Sequence, residues 1–184
     1  YIMIFTCLLI IIFYMIILKL SPKRYNSYLP SVIVYPNNEN EVSLVENQIR
    51  ERTHFDIQFF KKTDPSVSYA FHELLPQYSV GELNSMFSKY NTIIVMLKYG
   101  INRARPKQIN PKLNVLESTT AHTPAYPAGH AFQAYVLEKI LSRKHPEKRQ
   151  ELEQLAEKCN IIRIKAGLHY PSDGLFSKKI VNII

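Results

Sequence analysis

Cysteine is scarce in this chain: 184 residues hold two, Cys7 in an apolar opening stretch and Cys159 far downstream. They are poorly placed to pair, so no disulfide framework is implied. There is no Asn-x-Ser/Thr sequon. Acidic residues are also in short supply, 15 against 23 lysines and arginines, for a net charge of +8. Such a balance favours anionic partners: phosphate esters, lipid headgroups or nucleic acid. No arginine-rich stripe and no nucleic-acid motif is present, so nucleic acid is not an expected partner. No internal repeat and no clear series of alternating strands appears. The first residue is not Met, which suggests a fragment or a processed form.

One long apolar run is present. The first eighteen residues, from Tyr1 to Leu18, carry no charge. As a helix they would extend about 27 Å, close to the thickness of a bilayer core. A signal-peptide core is usually shorter and ends in small residues, whereas here large aliphatics continue up to Lys19. We therefore expect a retained single-pass anchor over residues 1–19. Lys19, Lys23 and Arg24 follow it and place the remainder on the cytoplasmic side by the positive-inside rule. Residues 20–40, with three prolines and several asparagines, read as a tether, with a short extended piece at Val32-Ile33-Val34.

Residues 41–184 read as one helical domain. Val42, Val45, Ile49 and Phe55 recur near helical spacing. Thr63-Asp64-Pro65 has the form of a helix start, with Asp64 as N-cap and Pro65 in the first position. Ser79-x-x-Glu82 is a capping box opening a long segment to about Gly100. Residues 101–126 are rich in Pro, Asn and Thr, and form a loop. Pro127 starts a helix running to about Arg143. His145-Pro146 starts the next, which reaches about Lys165, with Gly167 as its stop. Pro171 starts the last helix, expected to be short because the chain ends eleven residues after Asp173. The class is all-α, a helical bundle. The aromatic residues around Phe59-Phe60 and Tyr69-Phe71 belong to its core. His54 and His72 are expected to pack or to lie on the surface, and His122 to be a loop residue, with lining the entrance as the alternative.

Three short motifs carry chemistry. In Lys98-x6-Arg105-Pro106, seven residues are two helical turns, so both cations can face one way at the end of a helix. Pro106 holds Arg105 extended; with Arg103 and Lys107 nearby, a solvated basic face is the plainer reading. In Pro127-Ala128-Gly129-His130, a proline at the first helical position leaves the N–H groups of Ala128, Gly129 and His130 unpaired, ready to cradle an anion. His130 titrates near neutrality and can protonate a leaving oxygen. In Arg163-x5-His169-x3-Asp173, Pro171 makes Tyr170 the N-cap and puts Asp173 in the first turn. Its carboxylate can fold back on one nitrogen of His169, fixing the tautomer and freeing the other as a nucleophile. Arg163 adds a planar fork for phosphate. Together these residues are what a protein needs to hold a tetrahedral oxyanion and break an ester bond to it.

These motifs, in this order, resemble the signature of the type 2 phosphatidic acid phosphatase superfamily. That group includes lipid phosphate phosphatases, bacterial non-specific acid phosphatases and vanadium haloperoxidases. The resemblance covers residues 98–173. It implies a helical bundle with its active site among helix termini, and hydrolysis of phosphate monoesters or diphosphates, including lipid-linked ones. It further implies that Lys98, Arg105 and Arg163 hold phosphate oxygens, with the N–H groups of Ala128 and Gly129. His169 would become phosphohistidine, Asp173 would orient it, and His130 would protonate the leaving alcohol and then activate water. No metal or other cofactor is implied, since the cations neutralise the phosphoryl charge. Two alternatives stand beside this. One is a haloperoxidase, which would hold vanadate in the same pocket; the other is a non-catalytic membrane or assembly protein keeping the fold. One departure stands out: the family usually has Ser before the Gly-His pair, and this chain has Ala128. One hydrogen bond to a charged ligand is worth about 1.5–3 kcal/mol.

Overall fold

Helix boundaries in the computed structural model follow local chemistry closely. The structure describes residues 2–20, 23–29, 31 and 35–184, without the side chains of residues 2–4 and 17–20. Ten α-helices and no strand occur among the described residues. The all-α expectation therefore holds. Helix α1 (Ile2–Leu20) is followed by α2 (Asn38–Arg50), α3 (His54–Thr63), α4 (Ser68–Leu74) and α5 (Val80–Ser88). Then come α6 (Asn91–Ile101), the short α7 (Pro106–Ile109), α8 (Gly129–Lys144), α9 (Arg149–Lys165) and α10 (Pro171–Ile183). A 3-10 turn, Pro146–Lys148, leads into α9.

The apolar side chains of α1 that are described, Phe5 and Leu8 to Ile16, are all exposed. Among the described residues no helix is long and apolar enough to cross a membrane. The expected span of residues 1–18 reaches beyond the described side chains, and the expected extended piece at Val32-Ile33-Val34 lies outside the described residues. The tether is pinned where it is described: Tyr25 N–H donates to the Asn102 carbonyl at 3.0 Å, and Ser31 Oγ to that of Ile101 at 2.8 Å.

Several start signals work as read. Ser79 and Glu82 cap α5 reciprocally. Tyr170 caps α10, with Asp173 accepting its N–H at 2.9 Å. Gly167 takes φ +79°, the left-handed conformation that ends α9. Others are corrected. Asp64 is not an N-cap: it closes the C-terminus of α3, and α4 begins at Ser68. Its carboxylate is drawn away to Arg163 and the 118–120 loop, which outcompete local capping. Phe55 does not continue α2; it lies in α3 and is 80% exposed, because Thr53 and Asp56 form a capping box that restarts the chain. The segment from Ser79 to Gly100 breaks into α5 and α6 around Lys89 and Tyr90. Pro127 stands one residue before the N-cap of α8, which is Ala128, after a cis peptide bond from Tyr126.

The main core lies where α8 packs on α9 and α10, with α4 and α5 closing one side. Phe71, Leu83, Phe132, Leu137, Leu141 and Leu152 are its fully buried large side chains. Burying each such side chain is worth roughly 1.5–3 kcal/mol. Phe60, Ala70 and Phe71 are buried as expected, whereas Tyr69 is 45% exposed. Where α9 meets α10, a Cβ on Gly174 would lie 1.9 Å from Asn160 Oδ1, so glycine permits the close approach. This packing brings the start of α8, the end of α9 and the start of α10 together.

Candidate functional site

The second and third motifs are joined through backbone. Ala128 N–H donates to the Asp173 carbonyl at 3.2 Å. Ser177 Oγ lies 2.9 Å from both that carbonyl and the Ala128 carbonyl, which share its one proton. This corrects one expectation: the Ala128 N–H is already used, so the cradle at the start of α8 begins at Gly129. Ala128 has no side-chain oxygen to cap the helix. The Lys98 stem crosses Gly129, and a Cβ there would meet Lys98 Cε at 3.6 Å.

His169 and Asp173 meet as the spacing suggested. His169 Nδ1 lies 3.0 Å from Asp173 Oδ2, with both side chains buried. A carboxylate accepts, so the proton sits on Nδ1 and Nε2 carries the lone pair. Arg105 Nη1 donates to that Nε2 at 3.1 Å. Burial, then the nearby charges of Arg105, Lys98 and Arg163, hold the His169 pKa well below its ordinary range, so the ring is neutral. Burial pushes the Asp173 pKa up, opposed by Arg103, the Tyr170 N–H, Lys98 and Arg105.

The cations converge, but not on one helix face. Lys98 lies near the end of α6, while Arg105 is the extended N-cap of α7; Asn102, left-handed at φ 54°, turns the chain between them. Lys98 Nζ donates to the Pro124 carbonyl at 2.8 Å. Arg105 donates from Nε to the Thr123 carbonyl at 2.9 Å and from Nη1 to that of Leu168 at 2.8 Å. Burial and Arg105 drive the Lys98 pKa well down. Burial and Arg163 bring that of Arg105 to about 10. Arg163, at the end of α9, donates from Nη1 to Asp64 Oδ1 at 2.7 Å. Its buried Nε has no hydrogen-bond partner among the described residues.

His130 Nε2 lies 2.8 Å from the Asp64 carbonyl oxygen. Only a donor can satisfy a carbonyl, so Nε2 carries the proton and Nδ1 is left for proton transfer. Burial, then Arg163, lowers its pKa to about 3, against the raising effect of Asp64. A cavity of about 390 Å³ opens beside it, bordered by Lys98, Gly129, His130 and Thr123 at one end. Phe87, Ile94 and Val95 supply an apolar wall. His169, Arg105 and Arg163 do not line this cavity.

Sequence reasoning missed two residues. Asp64 accepts five bonds besides its backbone ones: from Arg163, Ser118 Oγ at 2.5 Å, Thr119 N–H and Oγ1 at 2.8 and 3.0 Å, and Thr120 Oγ1 at 3.2 Å. Burial pushes its pKa up, but Ser118, Arg163 and Thr119 hold it well below the usual carboxylate range. Arg103, read as part of a solvated face, is wholly buried and donates to Asp173 Oδ1 at 2.6 Å. Lys107 is exposed. The one sequence hint for Arg103 was its place two residues before Arg105.

The other histidines stay outside this cluster. His122 is exposed and does not line the cavity. His72 Nδ1 meets the Tyr78 carbonyl at 2.8 Å, His145 Nε2 the Tyr78 hydroxyl at 2.9 Å, and His54 bonds Gln58. No group of His, Cys, Asp and Glu able to hold a metal occurs among the described residues. No protein-family model and no curated protein matches this chain.

Proposed function

We propose that this chain is a phosphoric ester hydrolase of the type 2 phosphatidic acid phosphatase kind, working through a phosphohistidine on His169. The observation that carries the reading is the state of His169. Its Nδ1–H is held by Asp173, and its Nε2 lone pair faces the Arg105 guanidinium. A neutral imidazole becomes a nucleophile for an electron-poor, anionic phosphorus once the Arg105 donor now on its Nε2 lone pair turns to the phosphate.

In the proposed reaction, the phosphate takes over the donors of Arg105 and Lys98 that now reach carbonyl oxygens and, from Arg105 Nη1, His169 Nε2. Arg163 Nε–H, buried without a partner, is a further donor that an anion oxygen would satisfy. His169 Nε2 attacks phosphorus, the ester P–O bond breaks, and the leaving oxygen takes a proton from His130. The substrate dianion raises the His130 pKa by placing negative charge beside it, so the ring can enter as imidazolium. Water then gives a proton to His130 and its hydroxyl to phosphorus, the P–N bond breaks, and inorganic phosphate leaves. The cations do the charge neutralisation that metal ions do in other phosphoryl transfer enzymes.

The substrate class we favour is a lipid phosphate or diphosphate. The wall of Phe87, Ile94 and Val95 suits an alkyl leaving group. The exposed apolar side chains of α1 suit attachment to a membrane, with residues 1–19 as a single-pass anchor and the catalytic domain on the cytoplasmic side. The test is phosphate release from p-nitrophenyl phosphate and from a short-chain lipid phosphate. The folded protein should release phosphate from at least one of them, and His169→Ala should lose that activity. A folded protein that releases none overturns the proposal.

A further inference from the structure

We propose that Arg103 is a positioning residue for His169, acting through Asp173 and anchored in turn by Glu41. The inference rests on the reading of His169 as nucleophile.

Arg103 stands in the loop between α6 and α7, yet its side chain is fully buried. It does not border the cavity, so it is not placed to touch substrate. Its guanidinium lies 4.0 Å from the centroid of the Tyr170 ring, with Tyr35 and Tyr126 at 5.2 and 5.6 Å. These rings hold the fork in one plane. Its donors reach Asp173 Oδ1 and Ser172 Oγ, each at 2.6 Å, and Asn38 Oδ1 at 2.9 Å. The Pro36 carbonyl and Glu41 Oε2 follow at 3.2 and 3.3 Å. Glu41 also accepts from Ser172 Oγ at 2.7 Å.

The two oxygens of Asp173 are thereby divided. Oδ1 belongs to Arg103; Oδ2 takes His169 Nδ1–H and the Tyr170 N–H. A carboxylate clamped on one oxygen cannot swing, so the other oxygen fixes the ring plane of His169. The division also bears on charge. When Nε2 bonds to phosphorus, the imidazole becomes cationic, and an ionised Asp173 stabilises it. A buried carboxylate drifts toward the neutral form unless a cation stays close. The groups around Asp173 are Arg103 and Arg105 from the loop, Lys98 from α6, and His169 and Tyr170 ahead of α10. Tyr126, Tyr35 and Glu41 complete the ring. Of the cations, Arg103 alone bonds the carboxylate directly, and Lys98 and Arg105 are assigned to substrate.

A buried ion pair can also merely hold α2, the loop and α10 together. The test separates the two roles. For Arg103→Gln we expect kcat to fall about ten- to a hundred-fold with KM within about twofold. The acid limb of the pH–rate profile should move up by about one pH unit, because Asp173 takes its proton more readily without the cation. Arg103→Lys should restore the position of that limb. Imidazole 15N NMR gives a second readout that needs no turnover: His169 should be protonated at Nδ1 in the parent and lose that single tautomer in Arg103→Gln. A folded Arg103→Gln with an unmoved acid limb and an intact tautomer overturns the proposal. Should Arg103→Gln not fold, Glu41→Gln decides. Without that anchor Arg103 should hold Asp173 less firmly and His169 should lose its single Nδ1–H tautomer by 15N NMR; an intact tautomer overturns the proposal. If the parent hydrolyses no phosphate ester, the hydrolase reading fails, and the tautomer measurement still decides whether Arg103 acts on His169.

Discussion

Arg163 and Asp64, ninety-nine residues apart in sequence, meet at 2.7 Å with 2% and 7% of their side chains exposed. The pair ties the end of α9 to the end of α3. The Asp64 carbonyl, one bond series away, holds His130 Nε2. One residue therefore orients both a cation and an imidazole of the site.

Removing that carboxylate charge leaves Arg163 buried without its counterion. Asp64→Asn should cost about 3 kcal/mol, the low end for breaking a buried pair. For a chain of this size that lowers Tm by roughly 6–12 °C. Thermal unfolding by circular dichroism checks it. A change under about 0.5 kcal/mol would mean that the pair does no more than a surface ion pair.

Acid should destabilise the ligand-free protein from near-neutral pH downward through its two buried histidines. His130 and His169 are both neutral in the fold, the first with its pKa near 3 and the second well below its ordinary value. In the unfolded chain both take protons below about pH 6.5. The unfolded state then binds more protons than the native one, so stability falls as pH drops from 6.5 toward 3. Each ring contributes up to about 1.4 kcal/mol per pH unit over its range. Phosphate or vanadate should flatten this slope, since an anion beside the rings lets them charge in the folded state. Urea melts from pH 7.5 to 4.5, with and without phosphate, test it; the same slope in both would contradict it.

Ala128 leaves α8 without a side-chain cap. Ala128→Ser supplies an oxygen at the N-cap, worth about 1 kcal/mol to the helix. The same hydroxyl can donate to a bound phosphate, worth about 1.5–3 kcal/mol if fully used. We expect a higher Tm and roughly ten-fold tighter inhibition by vanadate. Lower stability with unchanged inhibition would show that the buried position has no room for the oxygen.

Asp173→Asn removes the charge that fixes the His169 tautomer and also unpairs Arg103. Activity should fall by roughly a thousand-fold or more, mostly in kcat. Steady-state kinetics on p-nitrophenyl phosphate measures this. A loss confined to KM would place Asp173 in substrate binding instead.

Local signals in the chain were legible to the extent that they stayed local. The Ser79–Glu82 capping box, the Gly167 stop and the fold-back of Asp173 on His169 each act within four residues, so spacing alone reveals them. Thr63-Asp64-Pro65 misled because its local reading competes with a tertiary one: Arg163 and the 118–120 loop take the carboxylate that a cap would have used. Arg103 misled for the same reason, since its burial depends on α2 and α10, both distant in sequence. Lys98 and Arg105 do not share one helix face as their spacing suggested. A left-handed turn at Asn102 and the carbonyl oxygens of Pro124 and Thr123 place them, and helical spacing does not.

The central claim is a covalent one and can be tested as such. The protein is mixed with a 32P-labelled phosphate ester, quenched in alkali within milliseconds, digested, and the labelled peptide sequenced. The account predicts an alkali-stable, acid-labile phosphate on His169, absent in His169→Ala and longer-lived in His130→Ala. Steady turnover with no phosphate on His169 at any quench time, or with the label on another residue, would contradict it.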